Sequence, residues 1–147
     1  MPIPIVIKIS PDINDQQVEN ISEILLKYKI KAIIVSNTTE ENRNLLKDIQ
    51  KNQKGGLSGK PLEMKSNQLI NKFYKMLKKE IKIIGVGGVD SGKAAYDKFL
   101  LGADYVQLYT GMVYQGPNIA SKISKELIEI TKNHSVKNIS ELVGIKK

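Results

Sequence analysis

Polar or glycine residues that could bind a small molecule stand at the end of four apolar runs in this chain. The apolar run 32–35 stops at Ser36-Asn37-Thr38-Thr39. Three other apolar runs end in the same way. The run 4–7 is followed by Lys8, the run 81–86 by Gly87-Gly88, and the run 105–108 by Tyr109-Thr110-Gly111. All-apolar strands are typical of buried parallel sheets, whose carboxyl ends meet at one edge and form the binding face. The four runs therefore predict one shared functional face.

Lys8 and the pair Asn37-Thr38 are the sharpest candidates on this face. A lysine at the end of an apolar strand is costly to bury unpaired, so we expect it to meet an anion or an electron-rich ring. The alternative is that it reaches solvent past the strand end. Asn37 and Thr38 offer amide and hydroxyl groups to a ligand, and the alternative for them is capping of the next helix.

The glycine pair Gly87-Gly88 predicts a phosphate cradle. The segment from Gly87 to Ala94 nearly matches a P-loop but ends in alanine, which has no hydroxyl for magnesium. The dinucleotide fingerprint also fails, because Gly85 and Gly87 lack the third glycine. Backbone amides followed by a helix start still suit a phosphate. In (β/α)8 barrels the phosphate commonly sits after the last two strands, as Gly87-Gly88 and Tyr109-Thr110-Gly111 do here.

Composition excludes several classes of protein. The chain has 147 residues, 41% of them hydrophobic, which is enough for one domain. It has no cysteine, so disulfides, thiolate metal sites and cysteine nucleophiles are excluded, and we expect no metal site. No apolar stretch approaches the ~20 residues of a membrane span, and the first four residues do not begin a signal peptide, so we expect a soluble segment.

The charge indicates a solvated surface. The net charge is +8, but the 23 basic residues are scattered, and all except Arg43 are lysines. We therefore expect no nucleic-acid partner. His134 is the one histidine and lies in a polar turn, so we assign it no chemistry.

Helical patterns alternate with the four apolar runs. Asn14 and Gln17 form a capping box before a stripe of Val18, Ile21, Leu25 and Tyr28. Later helices are predicted from about residue 67, from 90–91 to the C-cap Gly102, over Ile119 to Ile130, and near 139–143. The long glycine-rich connection 54–61 is expected to be functional.

This alternation predicts an α/β fold with parallel strands and right-handed crossovers. Four βα units equal half of a (β/α)8 barrel, and alone they leave two parallel edges unpaired. Either the sheet is open and doubly wound, or the chain is part of something larger. Periodicity alone does not choose between these two.

Five ordered motifs resemble the C-terminal half of the dihydroorotate dehydrogenase family, in its quinone-dependent (class 2) branch. The resemblance covers residues 2–144 and implies that 1–147 is one segment, the C-terminal half of a (β/α)8 (TIM) barrel whose N-terminal half is absent. The motifs are Ile7–Asp12, Ser36–Thr39, Gly55–Leu62, Ile84–Val89 and Val106–Gly111.

The resemblance also implies roles for individual residues. Asn37 and Thr38 match positions that hold the orotate or dihydroorotate ring. Lys8 matches a lysine that contacts the FMN isoalloxazine. The other matched FMN-binding positions are Ser36, Gly59, Gly88, Tyr109 and Thr110.

The implied activity is FMN-dependent oxidation of dihydroorotate to orotate in pyrimidine (UMP) biosynthesis, with ubiquinone as acceptor. The family's serine base lies upstream, so no catalytic base is expected in this chain, which should be inactive alone. The missing barrel half or a second copy is the expected partner. The full-length protein is expected at the bacterial inner membrane, peripherally on the cytoplasmic face, or alternatively at the mitochondrial inner membrane. The alternatives are a non-catalytic FMN- or phosphate-binding half-barrel and another FMN-dependent (β/α)8 oxidoreductase, such as a class 1 relative.

Overall fold

The computed structural model describes residues 3–41, 43–132 and 136–146. The predicted polar turn at 133–135, including His134, lies outside the described residues.

Four parallel strands form a single sheet in the order of the sequence, β1-β2-β3-β4. The strands are β1 (Val6–Ile9), β2 (Ala32–Val35), β3 (Lys82–Val86) and β4 (Tyr105–Gln107). Each is joined to the next by a connection that contains a helix, as parallel pairing requires. The α/β fold class and all four strand positions predicted from the sequence are confirmed.

Five α-helices accompany the described strands: α1 (Asp15–Lys27), α2 (Glu63–Leu77), α3 (Gly92–Leu100), α4 (Thr110–Gln115) and α5 (Ile119–Lys132). Short 3-10 turns cover Arg43–Leu45, Lys60–Leu62 and Ile139–Leu142. The Asn14–Gln17 capping box is present as predicted. Two predictions were wrong: α2 begins four residues before residue 67, and residues 110–111 begin a short helix instead of ending a strand.

The core lies between the sheet and the helices. Ile33, Val35, Ile70, Phe73 and Ile83 are each at most 1% exposed and belong to the larger of two apolar clusters. Tyr28, expected on the inner stripe of α1, is instead its C-cap and is 65% exposed.

The opposite face of the sheet is not covered by these helices. The strand register aligns one row of side chains across it: Lys8, Ile34, Ile84 and Tyr105. Among the described residues, β1 and β4 are the outer strands of the sheet, and Ile5, Val6 and Tyr105 are 46–59% exposed there. In the described ranges, no helix has the length and apolar character to cross a membrane.

Candidate functional site

A cleft of about 990 Å³ opens at the carboxyl ends of the four strands. It is lined by all eight residues that were predicted to bind a ligand, and these residues come from five separate segments of the chain. The eight are Lys8, Ser36, Asn37, Thr38, Gly59, Gly88, Tyr109 and Thr110. Parallel strands produce this convergence because all their carboxyl ends lie at one edge of the sheet.

Backbone hydrogen bonds to both neighbouring strands fix the Ser36-Asn37 segment. The Asn37 amide donates to the Ile9 carbonyl at 2.8 Å, and the Ser36 amide donates to the Val86 carbonyl at 3.2 Å. The Ser36 side chain is buried and donates to the Asn37 carbonyl at 3.0 Å. No described α-helix begins within this segment, so the capping alternative for Asn37 and Thr38 was wrong. Both side chains are exposed and line the cleft. The Asn37 Oδ1 accepts a hydrogen bond from the Thr38 amide at 3.0 Å, which leaves the side-chain N–H groups of Asn37 and the Thr38 hydroxyl available to a ligand.

A charged clamp behind this segment joins three elements. The Asp12 carboxylate accepts from the Thr39 hydroxyl and the Glu40 amide, and from the Lys65 ammonium on α2. Lys65 also pairs with Glu41 at 2.6 Å. Burial raises the pKa of the Asp12 carboxyl, but the hydrogen bonds from Lys65, Thr39 and Glu40 outweigh it and hold this pKa below 3.8. The clamp fixes the backbone that follows Asn37 and Thr38.

We expect Asp12→Asn to lower the free energy of unfolding of the complete gene product by about 1–3 kcal/mol at neutral pH. The folded pKa of Asp12 is depressed, so its contribution is present above the unfolded pKa and lost as pH falls through the folded one. The difference between wild type and variant in urea unfolding should therefore shrink below about pH 4. Glu129→Gln, at an exposed ion pair, is the control. A difference that stayed constant down to pH 2 would contradict this account.

Arg43 organises the loop that closes one side of the cleft. Its guanidinium donates to the carbonyls of Lys51, Gln53 and Gly55. A planar group with five donors suits several carbonyls at once, which a lysine does not. The loop then pairs back onto the site, since Thr39 and Leu57 exchange two backbone hydrogen bonds of 3.1 and 2.7 Å. This role was not predicted, although a single arginine among many lysines is a signal for it in the sequence.

The glycines of the cleft allow a close backbone approach. A Cβ on Gly88 would lie 2.4 Å from Cβ and 2.9 Å from Cα of Glu63, at φ +72°. A Cβ on Gly59 would lie 2.9 Å from Thr110, whose hydroxyl donates to the Ser58 hydroxyl at 2.9 Å. In the described chain the amides of Gly87 and Gly88 donate to no backbone carbonyl. These N–H groups can therefore bind an anion, as a phosphate cradle requires.

The start of helix α3 does not contribute to this cradle, contrary to expectation. The Gly92 amide already donates to the Glu126 carboxylate at 2.5 Å, and the Ser91 hydroxyl caps the helix. A carboxylate at a helix N-terminus occupies the place of a bound anion and repels another. Lys93, at the P-loop lysine position, bonds to Asp97 on the exposed side of α3, which agrees with the rejection of a P-loop.

Two lysines supply positive charge at the cleft. Lys8 is exposed on the uncovered sheet face, and no described residue forms an ion pair or hydrogen bond with its ammonium. Lys60 at the rim pairs with Glu63 at 2.6 Å and lies 3.7 Å from Asp90. The hydrogen bond from Lys60 to Glu63 raises the pKa of this ammonium. Lys8 is therefore the cation in the cleft that is available to a ligand.

Comparison with known proteins identifies relatives over nearly the whole chain. The sequence model of the family described as "Dihydroorotate dehydrogenase" matches residues 1–131. A "Dihydroorotate dehydrogenase (quinone)" of Buchnera aphidicola subsp. Schizaphis graminum is 45% identical over 125 residues, 85% of this chain and 37% of the relative. One of Bartonella tribocorum is 42% identical over 139 residues, 95% of this chain and 39% of the relative. The chain thus spans just under two fifths of the length of these curated relatives.

Solved structures give the same result. The crystal structure of DHODH in complex with ferulenol from Eimeria tenella superposes with a TM-score of 0.93 at 33% identity, covering 97% of this chain and 38% of that one. The ligand-free DHODH structure from the same organism gives a TM-score of 0.92 at 34% identity, with 95% and 39% covered. The four βα units therefore share the fold of part of these larger chains.

Proposed function

This chain belongs to the dihydroorotate dehydrogenase family, and from that premise we propose that it supplies the FMN-binding and orotate-binding residues of a protein that oxidises dihydroorotate to orotate in UMP synthesis. The acceptor in this proposal is a quinone, as in the names of the relatives. The observation that carries the proposal is the convergence on one cleft of eight residues from five separate segments of the chain.

The residues present fit an FMN phosphate and ring. Gly88 and Gly59 stand where a Cβ would collide with the protein, and no described residue accepts a hydrogen bond from their amides, which are thus left to a phosphate in this proposal. Lys8 holds an unpaired ammonium on the sheet face, within the same cleft. Bound FMN would supply a ring that accepts a hydride from the substrate. In the proposal, Ser36, Gly59, Gly88, Tyr109 and Thr110 hold the nucleotide, and Lys8 contacts its ring.

Asn37 and Thr38 orient the pyrimidine in this proposal. A planar ring with alternating N–H and C=O groups needs both donors and acceptors, and a carboxamide offers both. We assign no catalytic base to the described residues. The base in the proposal is a serine outside this chain.

The uncovered sheet face and its two outer strands suggest how the remainder of the protein packs. We propose that a further set of βα units pairs with β1 and β4 and closes the barrel over the row of Lys8, Ile34, Ile84 and Tyr105. Self-association of this segment is the other arrangement that would pair both edges. A membrane-bound quinone acceptor would place the full-length protein at a membrane surface, the bacterial inner membrane in our proposal.

We expect Asn37→Ala to weaken orotate binding by about 1–3 kcal/mol, because the partner groups on the ring lose a buried amide. The complete gene product is titrated with orotate, and the change in flavin absorbance gives the dissociation constant. Flavin content should stay at the wild-type level, since Asn37 is assigned to the substrate and not to the cofactor.

Two further variants sharpen this test. Asn37→Asp keeps the shape but removes the N–H donors, so it should bind orotate at least as poorly as the alanine variant. Asn20→Ala, at an exposed position of α1, should leave orotate binding unchanged. An orotate dissociation constant equal to that of wild type in Asn37→Ala would remove this residue from the substrate site.

A further inference from the structure

A lysine of helix α3 is buried behind the glycine cradle, although the scattered lysines were predicted to form a solvated surface. Lys98 on α3 is 0% exposed. Its ammonium donates to the Asn67 side-chain oxygen at 2.8 Å and to the Ser66 hydroxyl at 3.1 Å, both on α2. Its side chain passes Gly85 of β3, where an added Cβ would lie 3.1 Å from the Lys98 Cδ.

The hydrogen bonds continue from this lysine to the site. The Ser66 hydroxyl, which accepts from Lys98, donates to the Val86 carbonyl at 2.6 Å and lies 3.3 Å from the Val35 carbonyl. Val86 directly precedes Gly87-Gly88, and its carbonyl also accepts from the Ser36 amide. Lys98 is therefore two hydrogen bonds from the backbone that forms the cradle.

The charge of Lys98 is not neutralised by a bonded anion. Among the described residues, no carboxylate lies within ion-pair distance of its ammonium. Glu63 at the start of α2 favours the charged form, but it is itself paired with Lys60, which disfavours that form. Burial lowers the pKa of the Lys98 ammonium to about 8. A buried cation of this kind costs stability, and an apolar side chain of similar volume would often be more stable.

We propose that Lys98 is a positioning residue of the phosphate site: through Ser66 it orders Val86 and the adjoining Gly87-Gly88 amides, and its buried charge favours binding of a dianionic phosphate in the cradle. This inference rests on the proposed function, since it takes the phosphate to be that of FMN. A bound dianion supplies the negative charge that Lys98 lacks in the protein. Phosphate binding and protonation of Lys98 then strengthen each other by the same factor.

The direction of the pH dependence follows from this coupling. Below about pH 8 Lys98 is already protonated without ligand, so phosphate affinity is at its full value. As pH rises through this value, binding must first recover a proton, and affinity falls. Raising the pKa of Lys98 by one unit on binding corresponds to about tenfold in affinity. The phosphate itself stays a dianion over this range.

Comparison of FMN with riboflavin isolates the phosphate. Both flavins are titrated into the complete gene product, freed of bound flavin, between pH 7 and 10, and the ratio of their dissociation constants is recorded. Any ionisation of the ring is common to the two ligands and cancels in the ratio. The wild-type preference for FMN should fall by about tenfold as pH rises through 8 to 10.

Lys98→Met should lower FMN affinity by about tenfold at pH 7, leave riboflavin affinity within about twofold, and make the ratio independent of pH. Lys93→Met removes the same charge from an exposed position of α3 and should keep the wild-type profile. Ser66→Ala keeps the charge but cuts the link to Val86, so it should weaken FMN binding and retain the pH dependence.

The outcomes distinguish the proposed function from the proposed role of Lys98. Failure of the wild type to bind either flavin would overturn the proposed function. FMN binding with a ratio independent of pH, or equal losses for FMN and riboflavin in Lys98→Met, would overturn the role of Lys98 alone. The wild-type titration decides this even if Lys98→Met does not fold.

Discussion

Lys8→Ala in the complete gene product should slow reduction of the bound flavin by dihydroorotate on the order of 10²–10³-fold. The reason is the position of the side chain. Lys8 stands in the row that crosses the uncovered face of the sheet, beside Ile34 with Ile84 on the strand beyond, and its ammonium has no described partner. In the proposed closed barrel this ammonium would lie beside the flavin ring on an apolar wall, where it would act on developing negative charge with little screening by water. Its loss should therefore affect the rate more than the binding of substrate.

The measurement is stopped-flow bleaching of the flavin absorbance at saturating dihydroorotate. Lys31→Ala is the matched control, because it removes the same charge at the amino end of the neighbouring strand β2. Lys8→Arg retains a cation and should recover part of the rate. Bleaching of Lys8→Ala within tenfold of the wild-type rate would mean that Lys8 does not contact the reacting ring.

Local patterns in the sequence were sufficient to predict the strands and the cap of α1. The Asn14–Gln17 capping box is made by residues three apart in the sequence. A short apolar run is itself the pattern typical of a strand in a parallel sheet, so no distant residue is needed to recognise it. Candidates at strand ends, such as Asn37 and Gly88, were predicted because the end of a parallel strand fixes the edge at which a side chain emerges. The full set of eight, including Gly59 in the long loop, came from the resemblance to a known family.

Two helix starts were not predicted, the first for a local reason and the second because of a residue distant in sequence. Helix α2 begins early because Pro61 opens a 3-10 turn that leads into it, whereas Lys60-Pro61-Leu62 was interpreted as loop. The start of α3 was expected to bind phosphate, but the carboxylate that fills it is Glu126, 34 residues further along the chain.

Charged residues were the hardest to place. Lys98 is a lysine and would ordinarily be expected at the surface. Helix α2 covers it and supplies its hydrogen-bond partners Ser66 and Asn67. Lys65 reaches Asp12 across 53 residues. Spacing along one helix predicts which residues share a face, but only the packing of α2 and α3 against the sheet determines which face is closed.

Gly88→Ala should abolish retention of FMN and lower the free energy of unfolding by about 3 kcal/mol. Two costs combine at this position. The backbone is left-handed, with φ +72°, and the new Cβ would meet the Cβ and Cα of Glu63 at 2.4 and 2.9 Å. Because a Cα belongs to the backbone of α2, it cannot turn aside as the end of a side chain can, so the cradle or the helix must move.

Gly116→Ala separates the two costs, because Gly116 has a similar φ of +81° but no atom within 4 Å of an added Cβ. This control should lose about 1–3 kcal/mol, the backbone cost of alanine at φ +81° and ψ 177°, and keep its flavin. Urea unfolding gives the two stabilities, and flavin fluorescence after gel filtration gives the retained FMN. If Gly88→Ala matched Gly116→Ala in both measurements, close approach of Gly88 to α2 would not be what holds the cradle open. A selective loss in Gly88→Ala would instead mean that FMN binding depends on the contact between this glycine and Glu63, and hence on the packing of α2 against the end of β3.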